Sequence, residues 1–577
     1  MNGPVFTIEN ECQDCYKCVR HCPVKAIRIV GGKASVIPEA CVACGECVKV
    51  CPAHAKKIRN DLSRLRQLLD SGAKVYASIA PSFAAYFKGI SLGRLAAAME
   101  EIGFAGVSET AHGAESVSAH VSKLLAETAG EMPVMISSAC PATVDMIRKY
   151  LPRWAKFISP LPSPVRAHCR LLREKYGNDI KVVFFGPCAA KKNESDAHPD
   201  ELALSLVFPM LEQLFEEKGV LPEFATREAE LALGPAEEGR FYSVEGGMND
   251  TIRDGSDKVR FVSVSGLDNL RRLLAGNPPQ DKRARTLFIE ALACPGGCVN
   301  GPAMREGASL DALLETDDLA PIRLSAERCF THCGGANYPA APVVTPALDE
   351  SAITAALARV GKYSKADELN CGACGYSSCR EFAEALLAGK AEEAMCHNFL
   401  RQNFQRTSNA LIRYIPAAVV IVDEARCITE CNRHFAELVG ANDIYTTLGN
   451  LNSLPIDDYL ADFADLFTGA LEHGSEIEKF NQHLGERIVN ISVFSIAKGQ
   501  FAGAVIQDVT KNEFRREQIA ERAREVIRKN VITVQQVARL FGEHIAETEI
   551  MLNEIAGTYT AQTKAESHGV MKSGGFN

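Results

Sequence analysis

The run Cys12-x2-Cys15-x2-Cys18-x3-Cys22-Pro23 recurs as Cys41-x2-Cys44-x2-Cys47-x3-Cys51-Pro52, and nothing else in the chain restricts its fold so tightly. A disulfide framework would need an oxidising compartment. The chain opens with no basic stretch, apolar run and cleavage site of the secretory kind, so a cytoplasmic setting is expected. There, clustered thiols bind metal. Three thiolates at this spacing wrap three corners of a cubane, and the fourth crosses to the other cluster. Cys12, Cys15, Cys18 and Cys51 are therefore expected to hold one 4Fe–4S cluster, and Cys41, Cys44, Cys47 and Cys22 a second. Structural zinc is the competing reading, and it requires neither the doubling nor the trailing prolines. Two adjacent clusters conduct single electrons, but to an unstated destination.

These first residues, 1–60, resemble bacterial two-cluster ferredoxins. The remainder of the 577 residues is long enough for several further domains. A hydrophobic fraction of 46% and a charged fraction of 23% describe ordinary globular cores, and a net charge of −9 argues against nucleic acid as a partner. No apolar run of membrane-spanning length occurs. Over residues 61–345, short β-like runs (KVYASIA, PVMISS, KVVFFG, KVRFVSVS, RTLFIEALA) alternate with amphipathic stretches such as SVSAHVSKLLAET and SGLDNLRRLLAG. That alternation predicts an α/β unit.

Four more cysteines follow predicted strands in this unit: Cys140 in SSACP, Cys188 in FGPCAAKKNE, and Cys294 and Cys298 in EALACPGGCVNGP. Loops at the carboxyl ends of strands are where α/β proteins build sites, and four thiols there could ligate another cubane. Some could instead be buried core cysteines. The three loops, in this order and behind a two-cluster module, resemble the signature loops of the iron-only (FeFe) hydrogenases. SIAPSF at 78–83 and the pair Gly246-Gly247 before Met248 are weaker echoes. By that resemblance, Cys140, Cys188, Cys294 and Cys298 hold the cubane of an H-cluster, and Cys298 also bridges to a two-iron subsite carrying CO, cyanide and a dithiolate. Lys191 matches the lysine that contacts a cyanide, a fitting use of a compact charge donor. Glu194 and Glu290 match the motif acids, with Glu290 read as ordering its loop. Ala80 and Pro81 match the apolar wall around the subsite. The implied chemistry is reversible heterolytic splitting of H2, with maturation proteins and a ferredoxin-type or other electron carrier as partners.

The chain departs from that pattern in a consistent direction. Fast members carry a proton-relaying cysteine before the first ligand, and here Ala139 stands there. Gly186 and Leu292 replace two motif methionines, and the helix that offers relay glutamates reads GAESVSAHVSKLL, with His120 the one titratable residue near their register. A positioned acid–base group contributes about 10²–10⁴-fold, so slow turnover is expected. Cys169, on a predicted helix, is read as packing, with a substitute relay as the alternative. Cys329 and Cys333, flanking His332, receive no role.

A third cysteine group, Cys371-x2-Cys374-x4-Cys379-x16-Cys396, follows a Pro/Ala-rich connector. It resembles small one-cluster domains, and residues 362–402 are expected to hold a third additional 4Fe–4S cluster. Residues 405–512 resemble a PAS domain: IPAAVVIVDEARCITECNRHFAELVG supplies two strands and an Asn-x-x-Phe helix start, and Asp508-Val509-Thr510 matches the exit motif. Cys427 and Cys431 are read as strand residues and His434 as solvent-facing or packed, and no PAS ligand is assigned. In the tail, 513–577, Ile527, Val531, Val534, Ala538, Phe541, Ile545, Thr548 and Leu552 form a heptad seam. The seam predicts a homodimer, with a helix folded back on its own domain as the alternative.

The expected fold class is thus multidomain α/β and α+β: ferredoxin-like, H-cluster, one-cluster and PAS domains, then a signalling helix. The expected function is a sensory hydrogenase that oxidises H2 slowly and relays the redox signal to a kinase or phosphatase partner. The rivals are a metabolic ferredoxin-linked hydrogenase with a regulatory PAS domain, and an electron-transfer scaffold with no two-iron subsite.

Overall fold

A computed structural model describes residues 3–128, 131–252, 258–279, 285–305, 333–344, 347–448, 451–510 and 525–535. The chain divides into two compact units, Met1–Phe399 and Leu400–Asn577.

The first unit begins with four short strands, β1 (Val5–Thr7), β2 (Ile27–Val30), β3 (Lys33–Val36) and β4 (Lys56–Ile58). β1 pairs antiparallel with β4, and β2 with β3. The doubled motif is doubled in backbone as well. Asp14, Tyr16 and Lys25 have positive φ, and so do Ala43, Gly45 and His54, at the same offsets from Cys12 and Cys41. Left-handed residues between the thiols bend each run sharply.

Seven strands follow: β5 (Val75–Ile79), β6 (Gly106–Glu109), β7 (Val134–Ile136), β8 (Lys181–Gly186), β9 (Leu204–Val207), β10 (Val259–Ser265) and β11 (Thr286–Leu292). They form two parallel sheets, ordered β6-β5-β8-β9 and β10-β11-β7. β5, β6 and β9 are buried at every residue, as expected of parallel strands covered on both faces. Fully buried Phe185 and Phe208 anchor the core of the larger sheet, each contributing roughly 1.5–3 kcal/mol. A second core joins Val19 and Ile27 of the N-terminal module, Ile136 and Ile289 of the smaller sheet, and Tyr376 and Phe382 of the third cysteine module. The helix Glu350–Arg359, which sequence reading passed over, packs through Ile353 and Leu357 on the helix Cys379–Leu387. It makes the third module larger than its cysteine spacing suggests.

In the second unit, β12 (Ala418–Asp423), β13 (Ile428–Cys431), β14 (Ile477–Leu484), β15 (Arg487–Ala497) and β16 (Phe501–Asp508) form one antiparallel sheet ordered β13-β12-β16-β15-β14. Both faces are covered. Val420 and Val422 point into a core with Phe435 and Phe467. Val419 packs on the other face with Ile412, Phe494 and Val534. This accounts for the unbroken apolar run of β12, since alternate residues serve opposite layers. Cys431 closes β13, Cys427 lies one residue before it in an isolated bridge, and the His434 ring is exposed near Glu437. Residues 525–535 are helical, and Ile527, Val531 and Val534 are buried. Over this stretch, Val534 of the expected dimer seam is used within the chain's own sheet packing. Ala538, Phe541, Ile545, Thr548 and Leu552 lie outside the described residues.

Asn432 ties this unit together. Fully buried, its Oδ1 accepts from the Val419 and Phe435 amides at 3.0 Å, and its Nδ2 donates to Ile412 O at 2.9 Å and Ala417 O at 2.7 Å. Asn432→Ala orphans these backbone groups. It is expected to cost about 3 kcal/mol, read as a roughly 100-fold loss of amide exchange protection around 417–435 in the full chain.

Candidate functional site

The carboxyl ends of β5, β7, β8 and β11 converge, and the loops that leave them carry the site. Cys140 is the N-cap of the helix Pro141–Tyr150, whose first residue is a proline with no amide to satisfy. Cys188 lies two residues beyond β8, and Cys294 two residues beyond β11, with Cys298 opening a short 3₁₀ turn. All four thiols line one cavity with Ala142, Ala293 and Gly297. Burial pushes the Cys188 thiol up to about 11, with Cys140 adding to the rise. Cys294 is raised well above its ordinary value, first by burial and then by Cys298, Cys188 and Cys140. Thiols gathered this way resist ionising until a cationic group arrives. The donor set and the space fit an iron–sulfur cubane.

A second cavity adjoins the first and shares Cys140, Cys188 and Cys298 with it. Ala80, Pro81, Ala139 and Met248 give it an apolar wall, and Ser82, Lys191 and Glu290 give it polar points. Ser82 Oγ is buried and has no hydrogen-bond partner, an orphan that a bound acceptor would satisfy. Lys191 Nζ donates to Glu194 Oε2 at 2.7 Å, and Ser163 Oγ donates to the other oxygen of Glu194 at 2.5 Å. Glu194 therefore aims the ammonium rather than lining the cavity. Gly186 has no room to be the methionine of the motif: a Cβ there would stand 2.5 Å from the Phe184 ring and 2.9 Å from the Ala80 Cβ.

Glu290 is almost fully buried. It accepts from the Met248 and Asn249 amides and from Ser263 Oγ at 3.1 Å. These bonds tie it to the loop at Met248. Burial nevertheless lifts its carboxyl to about 7 from an ordinary 4.5, which makes it an acid–base group near neutrality. The folded state holds this proton more tightly than the unfolded chain. The resulting stabilisation is complete below the unfolded value and is lost as pH rises through the folded one, roughly 3 kcal/mol in all. Stability of the full chain should therefore fall between pH 5 and 8 by more in the native protein than in Glu290→Gln. Equal slopes would show that this carboxyl titrates normally.

Sequence reading missed Ser82, Thr110, Tyr242 and the network behind them. Thr110 Oγ1 meets Ser78 Oγ at 2.7 Å, Ser78 meets His168 Nδ1 at 2.8 Å, and His168 Nε2 meets Ser108 Oγ at 2.9 Å. Burial holds His168 well below its usual value, so it stays neutral and braces the β5 and β6 ends. Cys169 beside it is fully buried in the core of the larger sheet, its thiol pushed up to about 12 by burial. It does not line either cavity. His120 is occupied by Ser116 O and by the Cys333 amide. Cys333 is buried near Tyr242, and Cys329 lies outside the described residues.

The other thiols also gather in fours. Burial raises Cys18 to about 11, and its thiol neighbours are Cys15, Cys12 and Cys51. Cys47 is raised well above its usual value, with Cys44, Cys22 and Cys41 around it. The fourth cysteine of each run thus stands with the three of the other. Cys371, Cys374, Cys379 and Cys396 line a single cavity of ≈ 360 Å³. Cys44 also lines the cavity of Cys140, Cys188, Cys294 and Cys298, so the N-terminal module abuts it directly.

Residues 73–302 match the family "Iron only hydrogenase large subunit, C-terminal domain". Residues 5–52 match the 4Fe-4S dicluster domain and 367–397 an Fe-S cluster family. The chain therefore joins an FeFe-hydrogenase large-subunit domain to a ferredoxin-like domain in a mixed α/β fold. Iron hydrogenase 1 of Clostridium pasteurianum is 24% identical over 324 residues, 47% of this chain and 56% of that protein. The match thus spans little more than half of that relative's length. The periplasmic [Fe] hydrogenase large subunit of Nitratidesulfovibrio vulgaris is 26% identical over 381 residues, 55% of this chain and 89% of that protein. A solved [FeFe]-hydrogenase variant from Chlamydomonas reinhardtii is 18% identical, with a TM-score of 0.36 over 45% of this chain and 88% of that one. No helix among the described residues is long and apolar enough to cross a membrane.

Proposed function

We propose that the protein is a sensory FeFe hydrogenase that binds and slowly, reversibly oxidises H2, then relays the redox change through 4Fe–4S clusters to a PAS output module. The observation that carries this reading is the pair of adjoining cavities, a four-thiol chamber opening onto an apolar one that holds Lys191, Ser82 and Ala139. Cys140, Cys188, Cys294 and Cys298 would hold the cubane of an H-cluster, with Cys298 shared with its two-iron subsite. When bound, that group supplies the reversible heterolysis of H2. Lys191, aimed by Glu194, and Ser82 present hydrogen-bond donors to anionic ligands at the cavity wall. Ala80 and Pro81 exclude water, and Glu290 can hold a proton near neutral pH. Ala139 can hold none.

The three further quartets, Cys12/Cys15/Cys18/Cys51, Cys22/Cys41/Cys44/Cys47 and Cys371/Cys374/Cys379/Cys396, take the additional clusters. The antiparallel five-stranded sheet, with the helices that carry Phe435 and Phe467 against one face, supports the PAS reading of 405–512. So does the exit at Asp508 and Thr510, where Thr510 Oγ1 donates to Asp508 Oδ1 and accepts from the Ile488 amide. Output would pass from the following helix, through a homodimer, to a kinase or phosphatase in the cytoplasm.

The test is the infrared spectrum of the protein matured with hydrogenase maturation proteins, taken beside its H2 oxidation rate with a ferredoxin-type acceptor. CO and cyanide bands with slow turnover are expected. Bands with fast turnover would make the chain a metabolic hydrogenase, and their absence would leave an electron-transfer scaffold.

A further inference from the structure

The N-terminal module has two partners, one on each repeat. On the second repeat, Cys44 reaches the catalytic four-thiol cavity, and Lys49 Nζ donates to Asn300 O at 3.3 Å. On the first repeat, the third cysteine module sits equally close. Gly375 has φ 92°, and a Cβ there would stand 2.9 Å from Val19 Cγ1 and 3.1 Å from the Arg20 amide, so only glycine permits the approach. Arg20 spans the Cys15 and Ala373 carbonyls, Ile29 N donates to Lys390 O at 3.0 Å, and Glu392 accepts from the Gly31 and Gly32 amides.

Lys25 and Tyr376 lie at the centre of this contact. Lys25 Nζ uses all three of its donors on carbonyls, Gly375 O at 2.7 Å, Val19 O at 3.1 Å and Arg20 O at 3.2 Å. It stands 6.0 Å from the centroid of the Tyr376 ring. Its counterpart in the second repeat, His54, has the same left-handed backbone but is exposed. The cross-module role therefore belongs to the lysine and not to the motif. Tyr376 lines the third four-thiol cavity, is 4% exposed, and has a buried hydroxyl without a partner. The thiols that act on it are Cys374 on one side and Cys22 on the other.

We propose that Lys25 and Tyr376 form the electron-transfer contact between the Cys22/Cys41/Cys44/Cys47 cluster and the Cys371/Cys374/Cys379/Cys396 cluster, Lys25 as the positioning residue and Tyr376 as the ring that fills the gap. The proposal rests on the cluster assignments above. One electron leaves the first cluster, which is oxidised, and the other cluster is reduced by one. Because Cys44 and Cys22 belong to the same quartet, that cluster has the catalytic thiols on one side and the third module on the other. The conductor forks there, and the Cys12/Cys15/Cys18/Cys51 cluster lies off the path from catalysis to the third module.

The test uses the full-length, cluster-loaded protein, with iron analysis and electron paramagnetic resonance of the dithionite-reduced state. Loss of the third cluster in Cys371→Ser should remove one cubane of iron and, with it, the magnetic broadening of the signal from its neighbour. Lys25→Met should shift the reduction potential of the third cluster downward, because a nearby positive charge favours the more negative reduced state, and Lys25→Arg should restore it. Tyr376→Leu should keep the iron and slow reduction of the third cluster after rapid mixing with reductant. Iron loss in Cys371→Ser with unchanged remaining signals would overturn the contact while leaving the cluster assignments intact. Unchanged iron in that variant would overturn the third-cluster assignment and the proposal with it. An unshifted potential in Lys25→Met would remove Lys25 from the contact.

Discussion

Replacing Cys188 by serine is expected to abolish H2 turnover, a loss of more than about 10⁴-fold, since the ~10²–10⁴ contributed by a single acid–base group is exceeded when the reacting centre itself is not assembled. Cys188 borders both cavities, so its loss breaks the four-thiol chamber and also opens the wall of the apolar one. A serine oxygen is a poor iron ligand and leaves a buried hydroxyl where a thiolate belongs. The measurement is turnover beside iron content, with Cys169→Ser as the control. Cys169 is buried in the core of the larger sheet and lines neither cavity, so that variant should keep its iron and its rate. Full activity in Cys188→Ser would dissociate the four-thiol chamber from the chemistry.

Ala139→Cys is expected to raise H2 turnover by about 10²-fold at matched iron loading, the low end of what a positioned acid–base group contributes. Ala139 lines the apolar cavity and packs in the cluster that holds Tyr242 and Met248. A thiol there has space, and it adds the proton carrier the cavity wall lacks beside Cys140. Among the described residues Glu290 is the one carboxylate on that wall, and its amide and hydroxyl partners tie it to the Met248 loop. A slow native protein and a faster variant would identify the alanine as a brake. A native protein that is already fast and gains nothing from cysteine would mean that protons leave by another route, and that the chain works as a metabolic hydrogenase.

The cysteines were legible because iron–sulfur ligation is local. Three thiols at fixed spacing on a sharply bent loop face one point whatever the rest of the chain does. The left-handed residues Asp14, Tyr16, Ala43 and Gly45 that impose the bend repeat with the motif. The strands of the α/β unit were legible for a related reason: buried parallel strands read as continuous apolar runs. Lys191 and Ala80 came from the resemblance, and the structure lines the cavity with both. Ser82 fell inside the quoted SIAPSF stretch without being singled out, and Thr110 and His168 carried no signal, because a hydroxyl or imidazole in an apolar segment looks the same whether it braces a cavity or packs. Gly186 was read as a lost methionine, while the structure shows its volume taken by Phe184, two residues away on the same strand face.

The sequence alone determined which thiols come in sets, that strands alternate with helices behind the ferredoxin-like start, and that position 139 holds no proton carrier. These are properties of residue type and short spacing. Only the tertiary structure decided that the third cysteine module meets Val19, Arg20 and Lys25, that Cys44 borders the chamber of Cys140, Cys188, Cys294 and Cys298, and that the described part of the tail buries Ile527, Val531 and Val534. Each of these joins segments far apart in the chain. Such contacts depend on how apolar faces find one another in three dimensions, and no local pattern encodes the partner.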